Sequence, residues 1–351
     1  MILFENDAKA RDDYFGDSAN EIAKFVERYS VHLDGGRFVG SGVMVFCSSE
    51  SDYVYILTAK HNLTVRGKDD GLALSDWKNA DGITALHQTF LDKVTIRAGD
   101  VSAPISNIFY FGRNWTYDVC CLASNDPKLC ELWGDAGNKL TPLLWQGGTD
   151  FQHEALLGSL SKDRQEQLGK QYYFVQTGFG CNRYLPGPSR TQDRVDPDVR
   201  GTFNHRQLIL TNYWDEARDY DEDRDVTNVI QGVAAAGASE TATSAPGDSG
   251  GGVFALEKRT NHWMLAGVNL GANMHHDADN PIQQAATAQN NVFTVLGTRV
   301  LNPPEGALYT VLDGKIVKAK EDAAFAHFWD GREAVSVGQE SEVEPEPVTS
   351  G

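Results

Sequence analysis

The residues best suited to chemistry surround one serine, in the run Gly247-Asp248-Ser249-Gly250-Gly251. Glycines on both sides of a serine remove side-chain bulk and allow backbone N–H groups to converge on an oxygen that develops negative charge. The nucleophile of an acyl transfer needs this environment. A serine hydroxyl alone is a weak nucleophile, so it also requires a general base and a buried carboxylate that orients the base.

Candidates for the base and the carboxylate both lie upstream of the serine. His61 follows the apolar run Tyr53 to Thr58, and a strand end holds an imidazole rigidly while leaving it accessible. Asp118 heads the apolar run that ends at Leu122. Burying this carboxylate alone would cost several kcal/mol, which favours a hydrogen bond to His61. If the strand register differs, three other acids could take its place: Asp92, Asp100 and Asp126.

These residues must be positioned by a scaffold of short strands. The chain from residue 37 onward consists of β-rich runs separated by glycine-rich turns, without long helices between them and without a fixed-period repeat. This pattern predicts an all-β fold, an antiparallel sandwich or barrel. The runs are Phe38 to Phe46, Tyr53 to Thr58, Val94 to Ala98, Asp118 to Leu122, Tyr172 to Thr177, Gln207 to Thr211, Val253 to Leu256 and Met264 to Val268.

Both ends of the chain have recognisable patterns. A capping box at Ser18 to Glu21 precedes apolar residues at helical spacing, which predicts an N-terminal helix that packs on the main body: Ile22, Phe25, Val26 and Tyr29. Asp313-Gly314 between two apolar runs predicts a type I′ hairpin, and a helix is expected from Glu321 to Trp329. The stretch 338–351 is acidic with almost no apolar residues, so we expect a disordered tail or a linker.

Composition narrows the classes of partner. The chain has 351 residues, with 31 Lys and Arg against 49 Asp and Glu, a formal charge of −18 that repels nucleic acid and anionic lipid. No apolar run approaches the roughly 18 residues that cross a bilayer, so neither a membrane anchor nor an export signal is expected.

Five cysteines, two of them adjacent, indicate reduced thiols in a reducing compartment, the cytoplasm. The sequence contains no C-x-x-C pair, so a zinc site is not favoured.

At these motifs the sequence resembles the trypsin/chymotrypsin-like serine protease family, in its intracellular, disulfide-free, bacterial type. The family's Thr-Ala-x-His is similar to Thr58 to His61, its Asp-hydrophobic pair to Asp118-Val119, and its Gly-Asp-Ser-Gly-Gly to Gly247 to Gly251. Three weaker similarities follow in the expected order: Gly40 to Val43, Thr177 to Gly180 and Thr298 to Val300. The resemblance covers roughly residues 37–300.

The resemblance implies two six-stranded antiparallel β-barrels of chymotrypsin type, with the triad His61, Asp118 and Ser249 in the cleft between them. It implies an oxyanion hole from the N–H groups of Gly247 and Ser249, and a serine endopeptidase that needs no cofactor or metal. We expect a protein or peptide substrate and a protein activator or regulator, with selected targets in a stress or defence pathway.

The resemblance also implies a substrate-binding region. Thr243, six residues before the nucleophile, would form the base of the specificity pocket, and because it is not an acid it gives no support for a Lys or Arg preference. A strand that pairs with the substrate backbone is expected at Asn269, Leu270 and Gly271.

The expected organisation has four parts. These are an N-terminal helical extension at 1–35, the protease domain at 36–300 with a lobe boundary near 140–170, a hairpin and helix at 301–337, and the tail at 338–351.

The sequence departs from the family in two ways. Extracellular members have cysteines where this chain has Asn62 and Ala245, so those bridges are absent. Digestive members pair a cleaved Ile-Val-Gly-Gly terminus with the Asp before the nucleophile, and no such tetrapeptide precedes Phe38. Either Asp248 has an internal partner, or activation comes from a partner or a rearrangement.

Rival interpretations exist for several of these residues. Gly247 to Gly251 also satisfies the G-x-S-x-G of an α/β-hydrolase esterase, but that fold needs a helix after the serine and a later histidine. A non-catalytic, protease-like binding module is a third hypothesis.

The alternating acids from Asp219 to Asp225 lack the Gly and Glu of an EF-hand, so an exposed acidic loop is favoured over a calcium site. His275-His276 fits a solvated loop better than a metal site.

Overall fold

A computed structural model describes much of the chain. The described residues are 19–35, 39–48, 53–63, 80–111, 119–135, 140–142, 162–180, 184–185, 194–195, 201, 203–214, 218–221, 224–226, 229–234, 247–273, 290–295 and 308–319.

The described elements are four α-helices, one short 3₁₀ turn at Lys60–Leu63 and twenty strands. The helices are α1 (Ala19–Tyr29), α2 (Ala80–Lys93), α3 (Pro127–Asp135) and α4 (Lys162–Gln171). The first ten strands are β1 (Ser30–Asp34), β2 (Val39–Ser48), β3 (Tyr53–Thr58), β4 (Thr95–Ala98), β5 (Val101–Pro104), β6 (Asn107–Phe111), β7 (Cys120–Ser124), β8 (Thr141–Pro142), β9 (Tyr172–Gly178) and β10 (Tyr184–Leu185). The other ten are β11 (Arg194–Val195), β12 (Asn204–Trp214), β13 (Arg218–Asp221), β14 (Arg224–Val226), β15 (Val229–Ala234), β16 (Gly252–Glu257), β17 (His262–Asn273), β18 (Asn290–Val295), β19 (Leu308–Leu312) and β20 (Lys315–Lys318).

The first large sheet has nine antiparallel strands in the order β20-β19-β6-β7-β3-β2-β1-β4-β5. Its central strands β3 and β7 are buried almost throughout, because α3 packs against β2 and β3. Strands covered on both faces read as continuous apolar runs rather than alternating ones. The strand β3 ends at Thr58, so the turn that carries His61 follows the end of a central strand.

The second large sheet has the order β16-β9-β12-β15-β18-β17-β8, and β16 pairs with β17 as well as with β9. All of its pairings are antiparallel except the short one between β8 and β17. The strand β16 begins three residues after Ser249, so this sheet anchors the serine. Each large sheet therefore carries one of the two central candidate residues.

The first helix joins the two sheets. Ile22, Val26 and Tyr29 are buried in the core, as the apolar stripe predicts. Phe25 stacks on Trp263 of β17 with ring centroids 4.4 Å apart, and Tyr29 lies edge-on to Trp133 of α3 at 5.4 Å. Core packing is thus confirmed for this stripe.

The all-β class and the antiparallel pairing are confirmed. The two six-stranded barrels stay a prediction, because the nine strands of the first sheet form an open series among the described residues. The N-terminal segment, predicted as helical, ends in strand β1, which pairs with both β2 and β4.

The hairpin at Asp313-Gly314 is confirmed. Both residues have positive φ, 51° and 70°, as a type I′ turn requires, and β19 pairs with β6. The helix expected from Glu321 and the tail lie outside the described residues. Within the described residues, no helix has the length and apolar character to span a membrane.

Candidate active site

Two glycines with unusual backbone angles shape the loop that carries Ser249. Gly247 has φ of 100° and Gly250 has φ of 89°. Residues that carry a Cβ rarely adopt such positive φ values. A Cβ on Gly250 would collide with the carbonyl oxygen of Ser41 and the hydroxyl of Thr58. The glycines on either side of the serine therefore allow two things: the positive φ values of the turn and the close approach of the turn to the first sheet.

The backbone carbonyl of Ser249 is held by two donors from the first sheet. The N–H of Ser41 donates to it at 2.9 Å, and the side-chain amide of Asn62 donates to it at 2.8 Å. Ser249 itself is half-buried. The serine is thus fixed to the first sheet through its backbone, and both tethers come from residues on or next to strands β2 and β3.

A buried polar network extends from this carbonyl. Asn62 Nδ2 also donates to Thr58 Oγ1 at 3.0 Å, and the Thr58 hydroxyl donates to the carbonyl of Ser41 at 2.6 Å. Ser41, Thr58 and Asn62 are all nearly inaccessible to solvent. The sequence assigned none of them a role in the site, although Thr58 and Asn62 closely flank His61.

His61 lies on the 3₁₀ turn that directly follows β3, and its side chain is half-exposed. The adjacent Asn62 connects this turn to Ser249. No hydrogen bond joins the Ser249 hydroxyl to the His61 imidazole within the described residues, where the bonds of Ser249 all use its backbone carbonyl. Catalytic hydrogen bonds are often long without substrate and tighten in the substrate complex.

Asp248 is completely buried beneath the loop. Its Oδ1 accepts a hydrogen bond from the N–H of Gly180 at 2.9 Å. A Cβ on Gly180 would lie 2.6 Å from Oδ1 and 2.8 Å from the backbone nitrogen of Asp248, so only glycine allows this approach. The sequence left open whether Asp248 has an internal partner. The N–H of Gly180 is such a partner for its carboxylate.

Phe179 links the same segment to the loop. Its N–H donates to Ser41 Oγ at 2.8 Å, and the Ser41 hydroxyl donates to the carbonyl of Gly247 at 2.7 Å. The sequence similarity at Thr177 to Gly180 thus marks a segment that contacts the loop of Ser249 directly.

Asn269 holds the loop from the other side. Its carbonyl accepts from the N–H of Gly250 at 2.7 Å, its own N–H donates to the carbonyl of Gly251 at 2.8 Å, and its side-chain amide donates to the carbonyl of Asp248 at 3.0 Å. The residue expected to bind substrate therefore uses both backbone groups for the loop. Leu270 and Gly271 continue β17 beyond a register shift.

Asp118 and Thr243 lie outside the described residues. The three alternative acids have other surroundings: Asp92 accepts from Gln88 on an exposed face of α2, Asp100 lies in an exposed turn, and Asp126 accepts from the N–H of Lys128 at the start of α3. None of them is buried. Their positions give no support for a role beside His61.

The remaining motifs are only partly described. Asp219, Asp221 and Asp225 lie on the antiparallel pair β13 and β14, while Asp223 and His275-His276 lie outside the described residues. Among the described residues no group of three or more His, Cys, Asp or Glu side chains is arranged for a metal ion.

The element after Ser249 is the strand β16, not a helix. An α/β-hydrolase places its nucleophile on a strand-to-helix turn. The esterase alternative therefore lacks the structural context that it requires.

Neither a protein-family model nor a curated protein sequence matches this chain. Among solved structures, the chain is similar to the Rv3671c protease in its inactive form, at 15% identity and a TM-score of 0.40, covering 84% of this chain and 94% of that one. A mutant of Rv3671c from M. tuberculosis H37Rv, also in an inactive form, gives 15% identity and a TM-score of 0.40 over 79% of this chain and 85% of that one.

A third similar structure is the passenger domain of plasmid encoded toxin from enteroaggregative Escherichia coli. The identity is 14% and the TM-score 0.39, over 74% of this chain and 21% of that longer chain. Similarity at this level carries no functional argument, so the function rests on the residues of the site.

Proposed function

We propose that the protein is a serine endopeptidase, with Ser249 as the nucleophile, His61 as the general base and Asp118 as the carboxylate that orients His61. One observation carries the proposal: the nucleophile loop is tied to the turn that carries His61, because Asn62 Nδ2 donates to the Ser249 carbonyl at 2.8 Å. A serine on a glycine-bounded turn that is tied to the turn of a histidine supports an acyl-transfer site.

In the proposed reaction the Ser249 hydroxyl attacks the carbonyl carbon of the substrate peptide, and its proton passes to His61. The negative oxygen of the tetrahedral intermediate is bound by the N–H groups of Gly247 and Ser249. His61 then protonates the leaving amine, and water hydrolyses the acyl-enzyme by the same route in reverse. The positive φ of Gly247 supports this role, because a side chain there would be strained in the conformation that the loop adopts.

The finer expectations belong to the same proposal. We propose two six-stranded barrels with the site between them and a specificity pocket whose base is Thr243. We also propose selected protein substrates in a stress or defence pathway and a cytoplasmic location. No disulfide joins any two of the four described cysteines, Cys47, Cys120, Cys121 and Cys130, which supports a reducing compartment. Fractionation of the source cells tests the location, and digestion of casein, which we expect to be slow, tests selectivity.

A fluorophosphonate probe tests the nucleophile. The wild-type chain should be labelled on Ser249, as located by peptide mass spectrometry, while Ser249→Ala and His61→Ala should lose labelling. Ser106→Ala is a matched control, because the Ser106 hydroxyl is on the surface and donates to Asn125. This control should label at the wild-type rate.

Labelling that persists in Ser249→Ala would refute the assignment of the nucleophile. A folded wild-type chain that is not labelled at all would instead favour a non-catalytic binding module. Where labelling occurs, cleavage of a peptide library establishes endopeptidase activity and gives the residue preferred before the cut.

A further inference from the structure

A cavity of about 690 Å³ lies where the two large sheets meet. From the first sheet and its helix it is lined by α1, β1 and β4, and from the second by the residues that follow β9 and precede β12. This volume is within the range of small-molecule sites. No role in the proposed reaction accounts for it.

The charged residues that line the cavity are mainly basic, although the whole chain has a formal charge of −18. Lys24, Arg28 and Arg97 line it, together with the single carboxylate of Glu27. Arg97 is paired with Asp34 at 2.7 Å. In the part of the chain that the structure describes, Lys24 and Arg28 form no ion pair, so two cations are available to a bound group.

Aromatic rings line the same cavity. Phe179 stacks on His32 with ring centroids 5.5 Å apart and an interplanar angle of 24°, and Phe203 lies 5.5 Å from Phe179. A Cβ on Gly201 would lie 2.6 Å from the His32 ring, so the backbone of Gly201 closes over it. Cations and aromatic rings that line one cavity suit a ligand with an anionic end and an apolar body.

We propose that this cavity binds a small organic carboxylate, with the carboxylate at Lys24 and Arg28 and the apolar body against Phe179 and Phe203, and that binding controls the nucleophile loop. This second half of the proposal rests on the proposed function.

Phe179 provides the connection between the cavity and the loop. Its ring lines the cavity while its N–H donates to Ser41 Oγ at 2.8 Å. Ser41 in turn donates to the carbonyl of Gly247 and holds the carbonyl of Ser249. The next residue, Gly180, donates to Asp248. A ligand that shifts the backbone of Phe179 would therefore shift partners of the loop, while a ligand that moves only the ring would leave them unchanged.

Calorimetric titration of the full chain with phenylacetate tests the site, and phenylacetamide is the neutral control of the same shape. We expect saturable 1:1 binding of phenylacetate with a dissociation constant of about 1 mM or below. The amide should bind at least about tenfold more weakly, because it lacks the charge that Lys24 and Arg28 recognise. Arg28→Gln and Lys24→Gln should each weaken phenylacetate binding about tenfold.

Lys128→Gln is the matched control, since Lys128 is an exposed lysine on α3 that does not line the cavity. It should bind phenylacetate like the wild type. Equal binding of acid and amide, equal loss in Lys128→Gln, or no saturable binding would overturn the site. Urea unfolding of each variant verifies that the chain is folded.

The second measurement is the rate at which fluorophosphonate labels Ser249 with and without saturating phenylacetate. We expect a change of about threefold or more in the wild type and in Lys128→Gln, and a clearly smaller change in Arg28→Gln at the same concentration, because its cavity would be only partly occupied. Binding without any rate change would overturn the coupling. If the probe never labels Ser249, the proposed function fails, while the titration still decides whether the cavity binds the carboxylate.

Discussion

The side-chain amide of Asn62 donates to the backbone carbonyl of Ser249 at 2.8 Å and to the hydroxyl of Thr58 at 3.0 Å. Asn62 is 3% exposed, so water has little access to replace these bonds. Because Asn62 directly follows His61, the candidate base and the candidate nucleophile share one structural connection. The positions of His61 and Ser249 should therefore depend on the side-chain amide of Asn62.

Asn62→Asp tests this connection. The substitution preserves the shape of the side chain but replaces the donating NH₂ with an oxygen that faces the carbonyl of Ser249. Two oxygens in contact repel, so we expect fluorophosphonate labelling of Ser249 to slow at least about tenfold. The free energy of unfolding, measured in urea, should fall by about 1–3 kcal/mol.

Asn125→Asp is the matched control, because it makes the same chemical change on an exposed residue. Its labelling rate should stay within about twofold of the wild type. If Asn62→Asp and Asn125→Asp were labelled equally fast, the amide of Asn62 would have no part in positioning the serine.

Gly250→Ala should destabilise the protein far more than an ordinary glycine substitution. Gly250 has φ of 89°, and an added Cβ would lie 2.9 Å from the backbone nitrogen of Ala59 and collide with Ser41 and Thr58. The strained φ and the collision together should cost about 3 kcal/mol or more. Urea unfolding measures the loss, and failure to accumulate as folded protein is the extreme form of the same result.

Gly99→Ala separates the two causes. Gly99 also has positive φ, 54°, but an added Cβ would have no atom within 4 Å. Only the backbone strain remains, about 1–2 kcal/mol. Equal losses for Gly99→Ala and Gly250→Ala would show that the close approach to the first sheet is not a constraint.

The sequence predicts about half of the twenty described strands, because the signals of those strands are local. The run Tyr53–Thr58 is the observed strand β3, and the turn at Asp313-Gly314 needs only two residues that tolerate positive φ. Helices α2, α3 and α4 were not predicted. In α4, Leu168 is the buried hydrophobic side chain among the described residues, so the helix has no apolar stripe for the sequence to reveal.

In the candidate site, too, local features could be predicted from the sequence and long-range contacts could not. The serine and its glycines form one short motif, and the structure shows positive φ at two of these glycines, Gly247 and Gly250. The tether by Asn62 joins residues 187 positions apart, and no local pattern indicates such a contact. Asn269 was expected to meet substrate, whereas three of its hydrogen bonds hold the loop, which depends on how β17 packs.

Phe25→Ala tests the attachment of α1 to the second sheet. The Phe25 ring is half-buried and stacks on Trp263 at 4.4 Å with an interplanar angle of 10°. Its removal should lower the free energy of unfolding by about 2 kcal/mol, less than for a fully buried ring. Glu21→Gln, on an exposed position of the same helix, should stay within about 0.5 kcal/mol of the wild type. Comparable losses in the two variants would contradict the packing role of the stripe.

His87 should make the protein less stable in acid. Burial lowers the pKa of His87 from its ordinary value of 6.5 to about 4, while the ring Nδ1 lies 3.1 Å from the hydroxyl of Tyr110. Between pH 6.5 and 4 the unfolded chain therefore binds more protons at this position than the folded chain does. The contribution of this group to stability is constant above pH 6.5 and falls by up to about 3 kcal/mol as the pH drops to 4.

His87→Gln retains a polar partner for Tyr110 but cannot be protonated, so its unfolding free energy should decline less over this interval than that of the wild type. Urea unfolding at several pH values from 7 to 4 gives the difference between the two proteins. The carboxylates titrate in both chains and cancel in that difference, which leaves the contribution of His87. Parallel curves would mean that the imidazole is protonated as easily in the folded protein as in the unfolded one, and that its burial in the core carries no electrostatic penalty.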